Sequence, residues 1–393
     1  MRAAAGAAGA EPASRGSAAD ERPDCWSAAA VTAPGPDLGA GVDRVLLPEV
    51  TASSGVPAPE AVRGPLAGGA VVVVTGAAGF LGRHLLAGLV AADLRVRAVD
   101  RKPLQEVYDG HLEAVQVDLE RDDLLPLLDR ASVVFHLAAV PGVRRSWGDS
   151  FGSYVAANLI GTQRLLEACD RSRVRRLVVA SSSSVYGQAE HLPTPEDAAT
   201  RPMSPYGVSK LAAEQLALAY ARRPGAGTSV LALRYFTLYG PGQRPDMLVG
   251  RLLGAAVTGV AAPLYGDGSQ ARDFTFVEDA VAATMAAAGD VGRAEVINVG
   301  TGASTSVLQL VALVEEATGR PVPLRPAGGQ AGDVDRTQAC IARAKRLLGY
   351  RPQVDLRAGL ARQLQSLEQP IAPPLGGTAG AVAVGIPEVG QRW

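Results

Sequence analysis

The chain has 393 residues, with 38 Lys and Arg against 39 Asp and Glu for a formal net charge of -1, so no surplus charge draws it to nucleic acid or to an anionic membrane. Hydrophobic residues at 47% and charged residues at 20% exclude global disorder. Three cysteines, Cys25, Cys169 and Cys340, are too few and too scattered for a disulfide framework or a paired zinc-ligand set, so a reduced, cytoplasmic chain without a metal is expected.

Residues 1–69 are rich in Ala, Gly and Pro and hold no sustained apolar period. They are expected to form a disordered extension, and a translation start downstream of Met1 accounts for them equally well. The basic start, apolar run and cleavage site of a secretory signal are missing, and Val45-Leu46-Leu47 is too brief to span a bilayer. The run Ala70-Val71-Val72-Val73-Val74-Thr75 has no polar alternation and reads as a strand buried on both faces of a parallel sheet. Further strands are predicted at Val96–Asp100, Val133–Leu137, Leu177–Ala180 and Val230–Arg234, with helices at Leu81–Ala91, Ala157–Arg171 and Tyr206–Arg222. Strand and helix alternate at βαβ spacing, which predicts a doubly wound, Rossmann-type parallel sheet. After Arg234 the rhythm breaks into a Gly/Pro-rich loop, a helix near Leu248–Val257 and shorter elements through Leu364. We therefore expect a cofactor-binding domain over 70–235, a smaller and predominantly substrate-binding region over 236–368, and a disordered tail over 369–393.

Between the first strand and first helix lies Thr75-Gly76-Ala77-Ala78-Gly79-Phe80-Leu81-Gly82. Gly76 and Gly79 let the backbone turn and approach a pyrophosphate, Gly82 lets the helix pack on the strand, and the helix N-terminus supplies N–H groups. Asp100 ends the second strand about 20 residues on, where a carboxylate accepts both adenosine ribose hydroxyls, which favours NAD. Arg101 beside it is placed to meet a 2′-phosphate, which leaves NADP open. Asp118 and Leu119, after the third strand, are placed by position to reach the adenine.

Tyr206-Gly207-Val208-Ser209-Lys210 sets a phenol and an ammonium at i and i+4 on one helix face, where the cation is expected to draw the tyrosine pKa toward neutrality. The run Ser181-Ser182-Ser183-Ser184-Val185-Tyr186-Gly187 stands at the end of a buried strand, where a hydroxyl can orient a reacting oxygen.

The glycine turn, His136-Leu137-Ala138-Ala139, the serine run and Tyr206-x-x-x-Lys210 together resemble the extended short-chain dehydrogenase/reductases, in the NAD-dependent nucleotide-sugar epimerase/dehydratase branch, over about Val71 to Leu364. The resemblance implies NAD bound by the glycine turn with Phe80 and Leu81, and by Asp100, Asp118, Leu137, Ala138, Ala139, Asn158, Tyr206, Lys210 and Phe236. It assigns catalysis to Tyr206 and Lys210 assisted by Ser182. Arg234 to Pro241 and Tyr265 to Phe274 resemble the family's nucleotide-diphosphate loops, which gives Arg272 a diphosphate or ribose to clamp; a plain ion pair with Asp273 or Asp267 is the alternative.

Dehydratases of this branch carry Asp-Glu where Ser183-Ser184 stand, and uronate decarboxylases carry a glutamate at Ser184. The resemblance therefore implies 4-epimerisation through a transient 4-keto sugar. Dehydratase or decarboxylase chemistry and a non-catalytic NAD sensor are the alternatives. Gln243-Arg244-Pro245-Asp246-Met247 looks like the loop of UDP-glucuronate 4-epimerases, which implies that Thr237 and Arg244 hold a sugar carboxylate; similar loops occur in UDP-glucose 4-epimerases, where Arg244 would pair with Asp246. Ser183 and Ser184 are expected beside the sugar, and Arg144 and Arg145 are a further basic pair. Cys340 stands where the family usually has an aspartate, so a helix cap is expected to be lost, and Cys169 falls on an apolar helix face. A homodimer through Asn158–Arg171 and Tyr206–Arg222 is implied by the resemblance.

Overall fold

The computed structural model describes residues 71–104 and 111–368; the expected extension over 1–69 and tail over 369–393 lie outside the described residues. Strand β1 (Val71–Thr75) is buried throughout, as a β-branched run must be when helices cover both faces of its sheet. With it run β2 (Arg95–Asp100), β3 (Leu112–Gln116), β4 (Ala131–His136), β5 (Arg176–Ser182), β6 (Ser229–Tyr235) and β7 (Ala294–Val299). All pairings are parallel, in the order β7-β6-β5-β4-β1-β2-β3. The winding reverses between β1 and β4, so the loops leaving their carboxyl ends diverge and open a crevice there. The expected doubly wound sheet is the one found.

Alternate residues of β1 feed opposite cores. Val72 and Val74 pack with Leu85, Leu86 and Leu89 of α1 (Phe80–Ala91). Val71 and Val73 pack with Leu165, Leu166 and Cys169 of α2 (Gly161–Arg171) and with Ala217 and Leu218 of α3 (Pro205–Arg222). Cys169 is thus a core thiol, and burial raises its pKa. The Ser204 hydroxyl caps α3 by accepting from Gly207 N, and Pro205 takes the first turn; together they fix where the helix begins and hence where Tyr206 points. The first residues of the helix predicted over 157–171 belong instead to a π-helical stretch at Val155–Ile160, which follows one α-helical turn at Phe151–Tyr154. Such widened turns occur at functional sites, and this one carries Asn158.

Beyond β6 the chain forms α4 (Leu248–Thr258), α5 (Val277–Ala286), α6 (Val307–Thr318), α7 (Ala342–Leu348) and α8 (Leu356–Glu368). Strand β7 returns to pair with β6, so the central sheet draws on both sides of residue 235. A separate core of Tyr239, Val249, Leu252, Leu253, Leu310 and Leu360 supports the smaller region. Helix α7 starts behind Ile341 without a side-chain cap, in keeping with cysteine rather than aspartate at 340. No helix among the described residues is long and apolar enough to cross a membrane.

Candidate active site

A cavity of about 890 Å³ opens at the carboxyl ends of the strands. On one side runs the glycine turn. Gly76 has φ +73, and a Cβ there would lie 2.6 Å from Ala138 N; a Cβ on Gly82 would lie 2.2 Å from Gly76 O. The turn is therefore closed by bare backbone, and Gly79 starts α1 with no side-chain cap, which leaves the helix N-terminus to an anionic ligand. The Asp100 carboxylate accepts from Ala78 N at 3.0 Å and Lys102 N at 2.9 Å, bracing the turn while facing the cavity. Phe80, Leu81, Arg101, Asp118 and Leu119 line the same end, and Leu137, Ala138, Ala139 and Phe236 line the middle. A cradle that any Cβ would fill, a helix start without a cap and a carboxylate at the β2 end fit NAD. Among the described residues no group of three or more His, Cys, Asp and Glu is placed to hold a metal.

Asn158 does not line this cavity. It is buried, accepts from Val140 N at 2.7 Å and donates to Val140 O at 3.1 Å and to Ser209 Oγ at 2.9 Å. It therefore ties the loop after β4 to α3 one turn from Tyr206 and acts on the site through those neighbours, not by contact. Beneath it, His136 bridges Thr75 Oγ1 at 2.7 Å and Thr162 Oγ1 at 2.8 Å. Because Thr162 spends its own proton on Asn158 O at 2.6 Å, His136 Nε2 must be the donor and Nδ1 the acceptor. Burial, helped by the Lys210 charge, lowers the His136 pKa to about 3.

Tyr206, Lys210 and Ser182 meet at the centre of the cavity. Ser182 Oγ accepts from Ser184 N at 3.2 Å and lines the cavity together with the Tyr206 phenol. Burial raises the Tyr206 pKa; Ser182 and the Arg244 charge oppose it, and Lys210 is not among the opposing groups. The expected lowering of Tyr206 by Lys210 is thus replaced in this structure by support from Ser182 and Arg244. Burial lowers Lys210 to about 8, with the Glu214 charge opposing. Glu214, one turn on from Lys210, is fully buried and accepts from Ser181 Oγ at 2.6 Å and from Arg234 Nε and Nη2 at 2.9 and 2.6 Å. The sequence reading missed this ion pair. Its only visible trace is an acid at i+4 from Lys210, which is usual on any helix surface.

Ser183, Ser184, Thr237 and Arg244 also line the cavity, with Tyr154 edge-on to Tyr206 at 6.2 Å between ring centroids. Tyr154 was also missed, since a tyrosine ahead of a helix has no distinguishing spacing. Arg272 lines the cavity and pairs with Asp333 at 3.3 Å. Neither Asp273 nor Asp267 is its partner: Asp273 is buried on Thr301, Gly302 and Ala339, and Asp267 turns to Ser269. Arg144 also reaches Asp333, at 3.3 Å, and stacks 4.1 Å over the Tyr265 ring. Arg244 pairs with Asp246 at 3.0 Å, and Arg145 approaches the same carboxylate at 3.6 Å.

The model of the NAD dependent epimerase/dehydratase family matches residues 72–300. An uncharacterized UDP-glucose epimerase of Bacillus subtilis, YtcB, is 38% identical over 312 residues, covering 75% of this chain and 97% of that protein. Among solved structures, MoeE5, seen with UDP-glucose and NAD and with UDP-glucuronic acid and NAD, is 48% identical with a TM-score of 0.72, covering 75% of this chain and 98% of that one. The UDP-glucuronic acid 4-epimerase of Bacillus cereus, in complex with UDP-glucuronic acid and NAD, is 35% identical with a TM-score of 0.71, covering 76% of this chain and 99% of that one.

Proposed function

The chain belongs to the NAD dependent epimerase/dehydratase family, and we propose that it is an NAD-dependent UDP-sugar 4-epimerase whose substrate pair is UDP-glucuronate and UDP-galacturonate. The observation that carries the activity is the convergence of Tyr206, Lys210 and Ser182 on the cavity that also holds the glycine turn and Asp100. Ser182 and Tyr206 bind the 4-hydroxyl, and Tyr206 takes its proton as general base. NAD, held by the glycine turn and Asp100, would supply the reversible hydride acceptor for carbon 4, so that the 4-keto sugar could be reduced on its opposite face. Lys210, charged below about pH 8, would hold the nicotinamide ribose, while Ser182 and the Arg244 charge favour the Tyr206 phenolate. Elimination would require an acid and a base beside the sugar, and positions 183 and 184 offer only serine hydroxyls.

The uronate reading rests on Thr237 and Arg244 lining the sugar end. A 4-keto uronate is a β-keto acid prone to lose carbon dioxide, and a guanidinium that fixes its carboxylate suppresses that loss. The UDP-glucose/UDP-galactose pair is the second reading, favoured by the Arg244–Asp246 ion pair, which neutralises the arginine for a neutral sugar. Arg272 is assigned to the diphosphate.

A homodimer through residues 158–171 and 206–222 is part of this proposal, supported by Ile160, at the end of the π-helical stretch, and Val208, on α3, which leave 46% and 47% of their surface exposed. Cytoplasmic residence is proposed from the reduced thiol of Cys169 in the core. The test of the activity is a UDP-sugar deuterated at carbon 4. An epimerase returns the deuterium to carbon 4 of the product, whereas deuterium appearing on released NADH would identify a dehydrogenase and end the proposal.

A further inference from the structure

We infer that Asp246 is a specificity-determining, positioning residue: it holds Arg244 by one edge of the guanidinium so that the other edge is presented to a sugar carboxylate. The inference rests on the uronate reading given above.

Asp246 engages the Nε and Nη2 side of Arg244, with Oδ1 3.0 Å from Nε and Oδ2 3.3 Å from Nη2. A guanidinium has two bidentate faces, the Nε/Nη2 side and the Nη1/Nη2 end. The acid takes the first, Met247 Sδ accepts from Nη2 at 3.6 Å, and Nη1 is left to a ligand, on a residue that lines the cavity. Arg244 lies close enough to the catalytic tyrosine for its charge to act on Tyr206 and on Tyr154, which sets the guanidinium near the reacting part of the sugar.

The backbone under this pair is already fixed. Met247 N donates to Arg244 O at 3.1 Å. Gly250, on α4, packs so tightly beneath that a Cβ there would lie 3.0 Å from Arg244 O. Gln243 donates to Leu238 O at 2.9 Å and accepts from Gly250 N at 3.2 Å. With the loop pinned, the freedom left to Arg244 is that of its long side chain, which is large in arginine. Asp246 restricts it, and Arg145 approaches the same Asp246 Oδ2 at 3.6 Å.

Charge counting points the same way. Arg145, Arg244 and Arg251 face the one carboxylate of Asp246, a positive surplus that a uronate reduces and a neutral hexose leaves uncompensated. Burial raises the pKa values of the neighbouring Tyr154 and Tyr206.

The test compares UDP-glucuronate with UDP-glucose on the full chain and on Asp246→Ala and Asp246→Asn. The ratio of kcat/KM for the uronate over that for the glucose substrate should fall about tenfold in both variants, chiefly through KM, and Asp246→Glu should restore part of it. An unchanged ratio, with both substrates falling together, would make Asp246 merely structural. A ratio that rises would show that Asp246 competes with the carboxylate; either outcome overturns the inference. If the unaltered chain leaves UDP-glucuronate unconverted, the substrate reading itself falls, which is distinguishable from a working uronate enzyme indifferent to position 246.

Discussion

Ser181 donates a 2.6 Å hydrogen bond to the buried carboxylate of Glu214, while its neighbour Ser182 lines the cavity with Tyr206. Successive side chains of a strand point to opposite faces, so anchoring Ser181 on one side of β5 sets Ser182 on the other. Glu214 is also the bidentate partner of Arg234 and the charge that opposes the desolvation of Lys210. One carboxylate thereby couples the strand end and the helix that together form the catalytic centre.

Replacing Glu214 with Gln should leave Arg234 as an uncompensated buried charge and cost about 3–5 kcal/mol of stability. Denaturant unfolding checks this. The double variant Glu214→Gln with Arg234→Met should recover part of the loss, because the two side chains share one interaction. Additive losses would contradict the coupling.

Lys210 is brought down to about 8 by burial, so its charge is full below that pH and is lost above it. Turnover should decline as pH rises through about 8, and Lys210→Met should be slower by roughly 10²–10⁴ with that alkaline limb gone. Rate profiles from pH 6 to pH 10 decide the matter; an alkaline limb that persists in the variant belongs to another group.

His136 has a folded-state pKa of about 3 against an ordinary value of 6.5. Between those values the unfolded chain binds the proton and the folded chain does not. The stability this group contributes is therefore full above about pH 6.5 and is lost as pH falls toward 3, at about 1.4 kcal/mol per pH unit. Going from pH 6.5 to pH 5 should cost the unaltered chain about 2 kcal/mol more than His136→Asn. Equal losses would show that the imidazole is not held neutral.

A methyl group at residue 82 would press on Gly76 O and on Ala77 O, 2.2 and 2.7 Å away. Gly82→Ala should destabilise the fold by about 1–3 kcal/mol through overpacking and release the nucleotide from the glycine turn. Absorbance of bound cofactor after gel filtration checks the second effect. Full retention would show that the turn tolerates the spread of α1 from β1.

The parts of the molecule legible in the sequence are those set by local rules. The unbroken valines of β1, the glycine spacing and the Tyr206/Lys210 pair each express one element at a time, and the resemblance they carry reached the correct family. Strand β7 was not legible because its sequence, Ala294-Glu295-Val296-Ile297-Asn298-Val299, lacks an apolar run and its place in the sheet is decided by pairing with β6. The π-helical stretch over Asn158 was hidden for a related reason: a widened turn has no period of its own in a short apolar segment. Asn158 was assigned to the cofactor by the resemblance; in the structure its side chain bonds Val140 and Ser209. Glu214, Arg234 and Ser181 come from α3, β6 and β5. No spacing along the chain announces that they meet.

The most direct measurement is to incubate the purified protein, without added cofactor, with UDP-glucuronate and in parallel with UDP-glucose, and to separate the 4-epimers by chromatography. Formation of UDP-galacturonate with no net release of NADH is the expected result, and it should exceed the conversion of UDP-glucose. With NAD bound and neither sugar converted at carbon 4, the assignment of Tyr206, Lys210 and Ser182 to UDP-sugar 4-epimerisation would be contradicted.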